Sequence, residues 1–178
     1  MKEISEIKSY RILVDTNVLV DCGREEFGSD FRKVLRTLTD NNNQLAISQL
    51  SGFEIVKKFH RKKEVITYYV KLLNFLPNIE LSTQILTNVG IIAHNIYQKN
   101  KNGETEDFKK DNDFIIGATA ITHKGSLLLT CNRKEFNSPV WKIVARECID
   151  WDEGDKRKVE NVYLLEPDYE ELKKRKIF

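Results

Sequence analysis

Acidic and amide side chains fall just past the most apolar short runs of the chain. Ile12-Leu13-Val14 stops at Asp15, and Leu127-Leu128-Leu129-Thr130 is followed by Asn132 and Glu135. Glu54 lies early in the segment after Leu45-Ala46-Ile47, and Asp113 opens the run Phe114-Ile115-Ile116-Gly117-Ala118-Thr119-Ala120. Short apolar runs of this kind suit strands buried on both faces. Parallel strands set their carboxyl ends side by side, where open α/β sheets bind ligands, so these groups would share one pocket. Carboxylates held that close repel and raise each other's pKa values unless a cation neutralises them. His60, His94 and His123 show no ligand spacing. Oxygen donors alone select a hard cation, so magnesium or manganese fits better than zinc. The chemistry this suggests is metal-assisted phosphodiester hydrolysis. The competing reading makes each acid a helix cap or a solvated charge, since Asp before an apolar-periodic segment is a common N-cap and the chain has 27 acidic residues.

The elements that would position these groups follow from hydrophobic spacing. Phe31, Val34, Leu35 and Leu38 recur at helical intervals over Asp30 to Thr39, which predicts a core-facing helix. Asp40-Asn41-Asn42-Asn43 is a turn signal, and Gln44 to Ser48 makes a second strand, giving a βαβ unit. Ser48 can cap the next helix, which is expected to turn Leu50, Phe53 and Val56 inward. Glu64 to Leu76 reads as an amphipathic helix closed by Pro77, followed by a brief strand at Ile79 to Ser82. Thr83 to Lys99 predicts a long helix burying Ile85, Leu86, Val89, Ile92, Ala93 and Ile96. Asn100 to Lys110 is a polar loop, and the small residues of Asp111 to His123 allow a helix to pack closely on the sheet. Gly125 ends that helix. Val140 to Val144 is open between strand and helix, and Asp152 to Lys158 is charged and expected to be solvated. Val162 to Leu165 is a last strand and Tyr169 to Lys176 a terminal helix.

A chain of 178 residues suits one domain with a full core. We therefore expect a single domain over 1–178. Hydrophobic residues at 40% and charged residues at 31% are those of an ordinary globular protein, and a net charge of +2 gives no global pull toward nucleic acid. Any such binding must come from local patches. Cys22, Cys131 and Cys148 are odd in number and far apart, against a disulfide framework or a zinc site and in keeping with a reducing cytoplasm. The first ten residues have no apolar core of a signal sequence, and no stretch approaches the ~18 apolar residues of a membrane span.

The set Val14-Asp15-Thr16-Asn17-Val18-Leu19, Glu54 in an early helix, Asp113 to Ala120, and Thr130-Cys131-Asn132-Arg133-Lys134-Glu135-Phe136 resembles the PIN domain, most nearly the VapC-type toxin ribonucleases. The likeness runs from about Arg11 to Phe136, with Val162 to Pro167 like the family's final strand. It implies a Rossmann-like α/β/α sandwich with a central, mainly parallel sheet. It also implies a magnesium- or manganese-dependent endoribonuclease, with an antitoxin protein as partner and a homodimer as assembly. Carried over, Asp15, Glu54 and Asp113 match the family's catalytic and metal-binding acids. Asn17 matches a supporting polar residue and Thr130 a threonine lining the pocket. Many members have an aspartate where this chain has Asn132, and another where it has Glu135, so both are metal-site candidates and the charge Asn132 lacks could come from Glu135. Residues 137–160 look like an insertion before the final strand, with Trp141 and Trp151 either packing on the domain edge or anchoring a partner.

Lys57, Lys58, Arg61, Lys62 and Lys63 follow the helix that carries Glu54. A basic patch beside an acidic metal pocket would hold an RNA backbone, although cations at a helix end also meet the helix dipole favourably. Two rival classes are a PIN-like scaffold that has lost metal binding and binds RNA or protein, and a receiver-like domain. The receiver plan needs an acid ending a middle strand, where this chain has Ala46-Ile47-Ser48.

Overall fold

The computed structural model describes residues 2–59, 63–80, 82–88, 111–136 and 139–176. Six strands form one sheet: β1 (Arg11–Val14), β2 (Gln44–Ser48), β3 (Asn78–Ile79), β4 (Ser126–Thr130), β5 (Trp141–Glu153) and β6 (Lys156–Pro167), in the order β3-β2-β1-β4-β6-β5. β1 lies between two parallel partners, with Val14 opposite Ile47 on one side and Leu129 on the other. β3 is also parallel, whereas β6 runs antiparallel to both β4 and β5. The sheet is thus mainly parallel, as expected.

Helices cover both faces of this sheet, because successive side chains of a strand point to opposite sides. Ile12 and Val14 of β1 enter one core with Leu45, Ile47, Leu127 and Leu129. Their covering helices are α1 (Thr16–Cys22) and α2 (Gly28–Asp40), which bury Val18, Leu19, Phe31 and Leu38 there. Leu13 and Leu128 face the second core, built with Ile116, Ala120 and Ile121 of α5 (Asp111–Thr122) and Leu172 of α6 (Tyr169–Lys174). Between β2 and β3 come α3 (Gln49–Phe59) and α4 (Lys63–Phe75). Tyr69 of α4 is buried in the first core, where its hydroxyl donates to the Val20 carbonyl at 2.7 Å. A second helical stretch, 83–88, follows β3.

Three expectations are corrected. Ser48 does accept from the Leu50 amide at 3.3 Å at the start of α3, but the face that α3 buries carries Ser51 and Ile55 rather than Phe53 and Val56, which are 61% and 45% exposed. In 83–88, Ile85 is buried but Leu86 is exposed. The largest difference is the segment after Asn137, where the final strand begins at Lys156 rather than Val162 and pairs along a β5 that runs from Trp141. The charged run Asp152 to Lys158 is the hairpin's tip, crossed by ion pairs from Lys158 to Glu153 (3.2 Å) and from Arg157 to Asp150. Trp151 packs on Phe27 with ring centroids 4.1 Å apart, and Trp141 meets Phe136 edge-on at 5.6 Å. The remainder of the predicted helix to Lys99, His60, His94 and the loop from Asn100 to Lys110 lie outside the described residues.

Candidate active site

Asp15 stands at the point where β1 ends and α1 begins. It occupies the N-cap position, yet its side chain makes no capping hydrogen bond. Its carboxyl is turned into the interior instead and is 1% exposed. The Asp15 amide donates to the Leu129 carbonyl at 2.9 Å, so β1 and β4 stay in register up to the acid itself. From the end of β4, the Thr130 hydroxyl donates to Asp15 Oδ2 at 2.6 Å. Asn17 donates through Nδ2 to the same oxygen at 2.6 Å and accepts through Oδ1 from the Cys131 amide at 3.1 Å. These contacts fix one carboxyl oxygen and bind together the two strand ends.

Burial, more than any neighbour, pushes the Asp15 carboxyl up to about 7; the Thr130 hydrogen bond opposes this, and the charges of Asp113 and Glu54 add to it. Asp113 and Glu54 thus both lie within electrostatic reach of Asp15. All three line one open cleft of about 460 Å³, together with Thr16, Asn17, Lys57, Lys58, Asn112 and Asn132. Glu54 is reached from α3, Asp113 from the first turn of α5, and Asn132 from the residues just past β4. Each element ends or begins at the same edge of the sheet, which is why residues so far apart in sequence meet there.

Glu54 is held from two sides. Its Oε1 accepts from Asn112 Nδ2 at 2.7 Å, and its Oε2 accepts from the Thr16 hydroxyl, which in turn lies 3.0 Å from the buried Ser51 hydroxyl. Among the described residues, no three His, Cys, Asp or Glu side chains are grouped closely enough to hold a metal ion by themselves. The donor types are still those a hard divalent cation takes, carboxylates and an amide on an open cleft.

Of the residues picked out in sequence, Asp15, Asn17, Glu54, Asp113 and Asn132 line the cleft, with Thr130 behind them on Asp15. Glu135 is not among the lining residues; its amide donates to the Asn132 carbonyl at 3.2 Å in the turn beyond. Of the basic segment, Lys57 and Lys58 line the cleft itself, Lys63 opens α4 and is not among the lining residues, and Arg61 and Lys62 lie outside the described residues. Thr16 and Asn112 were missed as site residues. Their signal was adjacency, since each stands next to one of the acids, Asp15 and Asp113.

A doubly covered, mainly parallel sheet with acidic and amide side chains gathered past the carboxyl ends of its strands defines an α/β protein with a polar cleft where such sheets bind ligands. The PIN domain matches residues 12–139, and this chain belongs to the PIN domain family. Among solved structures it is similar to a toxin-antitoxin complex from Klebsiella pneumoniae, at 26% identity and a TM-score of 0.52, over 72% of this chain and 92% of that one. It is also similar to VapBC2 from Rickettsia felis bound to a DNA fragment from their promoter, at 24% identity and a TM-score of 0.55, over 71% and 90% of the two chains. This second likeness shows the fold alone. No curated protein matches the chain in sequence. Family and fold together support a nuclease. No helix among the described residues is long and apolar enough to cross a membrane.

Proposed function

We propose that the protein is a divalent-metal-dependent endoribonuclease acting as the toxin of a toxin-antitoxin pair. The observation that carries this reading is Asp15, an acid at a helix N-cap that does not cap, buried and charge-coupled to Glu54 and Asp113 on one cleft. Asp15, Glu54 and Asp113 would hold magnesium or manganese, with Asn132 as a neutral oxygen donor beside them. The bound ion supplies Lewis-acid polarisation of a phosphate oxygen and balances the carboxylate charge. Asn17 and Thr130 keep Asp15 in its orientation. Lys57 and Lys58 on the cleft wall set positive charge against the RNA backbone.

An antitoxin segment with an apolar face suits the outer side of α3, where Phe53 and Val56 are exposed next to the cleft-lining lysines. Such a segment would cover the cleft's wall and exclude RNA. Cys22, Cys131 and Cys148 are all free, in keeping with a reducing cytoplasm. We read the β5–β6 hairpin as an addition within the same domain, because β6 pairs directly with β4. A homodimer remains part of the proposal.

A second reading, a metal-free RNA- or protein-binding scaffold, is favoured by Asn132 and by the hydrogen bonds already engaging Glu54. One experiment separates the two: cleavage of mixed structured and single-stranded RNA with manganese or magnesium, using wild type, Asp15→Asn and Asp113→Asn. Metal-dependent cutting by the wild type that is lost in both variants supports the nuclease. Unchanged cutting by either purified variant refutes the site, and manganese binding without cutting points to a very selective substrate.

A further inference from the structure

Asn112 has no place in the site as read from sequence, yet it makes a side-chain hydrogen bond across the cleft between α5 and α3. It is the second residue of α5 and precedes Asp113 directly. Its Nδ2 donates to Glu54 Oε1 at 2.7 Å, while Thr16, which follows Asp15 directly, donates to Glu54 Oε2. A residue adjacent to each of the other two acids therefore grips one oxygen of the third. The Thr16 grip is anchored in turn by Ser51, fully buried one helical turn before Glu54 on α3.

We propose that Asn112 is the positioning residue for Glu54, fixing the separation between the Glu54 and Asp113 carboxylates that a divalent cation must bridge. This inference rests on the metal-dependent reading above. Glu54 is a long side chain on an open cleft, facing two like charges, so without a donor on the α5 side repulsion would favour its rotation toward water. An amide is the group that can prevent this. It donates to the carboxylate without adding a positive charge that would compete with the ion, as a lysine or arginine would. Hydrogen bonds that orient metal-binding carboxylates typically govern affinity by 10- to 100-fold. The Asn112 contact also ties Glu54 to the first turn of α5, the turn that carries Asp113, so any shift of α5 would move both acids together.

The test is a double-mutant cycle read by calorimetric titration of manganese chloride into the whole protein: wild type, Asn112→Ala, Glu54→Ala and the double variant. Asn112→Ala is expected to weaken manganese binding about tenfold. In the Glu54→Ala background the same change should have no further effect, because the carboxylate that Asn112 positions is gone. Asn112→Leu, close to asparagine in shape but without a donor, should repeat the loss and guards against a helix-start effect of alanine. Additive effects in the cycle, or wild-type affinity in both Asn112 variants, would overturn the role of Asn112 while leaving the metal site standing. Absence of manganese binding by the wild type would overturn the metal-dependent reading itself and this inference with it.

Discussion

Replacing Asp15 with asparagine is expected to make the metal-free protein more stable while abolishing its activity. The Asp15 carboxyl is buried and its pKa is raised from 3.8 to about 7, first by burial and then by Asp113 and Glu54. An acid whose pKa is higher folded than unfolded loses stability as pH rises through the interval between the two values, and the full cost persists above it. Below pH 3.8 both states are protonated and there is no cost. The cost grows as pH rises toward 7 and is constant above it. A shift of about three pKa units corresponds to an upper bound of about 4 kcal/mol. Asparagine removes this cost and keeps the contacts of Asn17 and Thr130, which both donate to Oδ2, whose place the amide oxygen can take, while the Thr16 backbone contact on the carboxyl offsets part of the gain. In a chain of this size each kcal/mol moves the melting temperature by about 2–4 °C, so the variant should melt on the order of 10 °C higher at pH 8 with a chelator present. Thermal unfolding followed by circular dichroism at pH 8 and pH 4 measures this directly. The gap should close at pH 4, and at pH 8 manganese should narrow it by stabilising the wild type. A variant that melts at or below the wild type at pH 8 would show that the buried carboxyl is not under electrostatic strain.

Two further outcomes follow from other parts of the fold. Changing both Lys57 and Lys58, which line the cleft, to glutamine should weaken RNA binding for all sequences alike and lower the slope of log affinity against log salt by roughly 1–2, measured by fluorescence anisotropy. Gly117 faces Phe136 and Trp141, where an added Cβ would lie 3.2 Å and 3.3 Å from ring atoms. Gly117→Val should therefore cost about 1–3 kcal/mol by overpacking the junction of α5 with the chain after β4, read as a lower denaturant midpoint.

What could be read directly from the residues was whatever is buried on both sides. β1 and β4 are nearly continuous apolar runs because helices cover both faces, and the polar groups just past them, Asp15 and Asn132, are conspicuous for that reason. The β5–β6 hairpin escaped because β5 is an edge strand with much of its surface exposed, so the alternation that marks a half-buried strand is diluted by charge. On α3, Phe53 and Val56 fit a helical period but are exposed, while the buried contacts fall to Ser51 and Ile55. Hydropathy alone cannot tell a buried apolar residue from an exposed one. The grip of Thr16 and Asn112 on Glu54 was out of reach for another reason: hydrogen bonds across a cleft leave no periodic trace.

The bond from Thr130 to Asp15 joins residues 115 positions apart. A chain growing from the ribosome makes its first acid early, but the strand that buries and orients that acid arrives last among the parallel ones. Until Ser126 to Thr130 has emerged, β1 has only β2 as a lasting neighbour and Asp15 remains solvated. A truncated product ending before β4 thus carries Asp15, Glu54 and Asp113 without the assembled centre. Under the function proposed above, the order of the strands is itself a safeguard during synthesis.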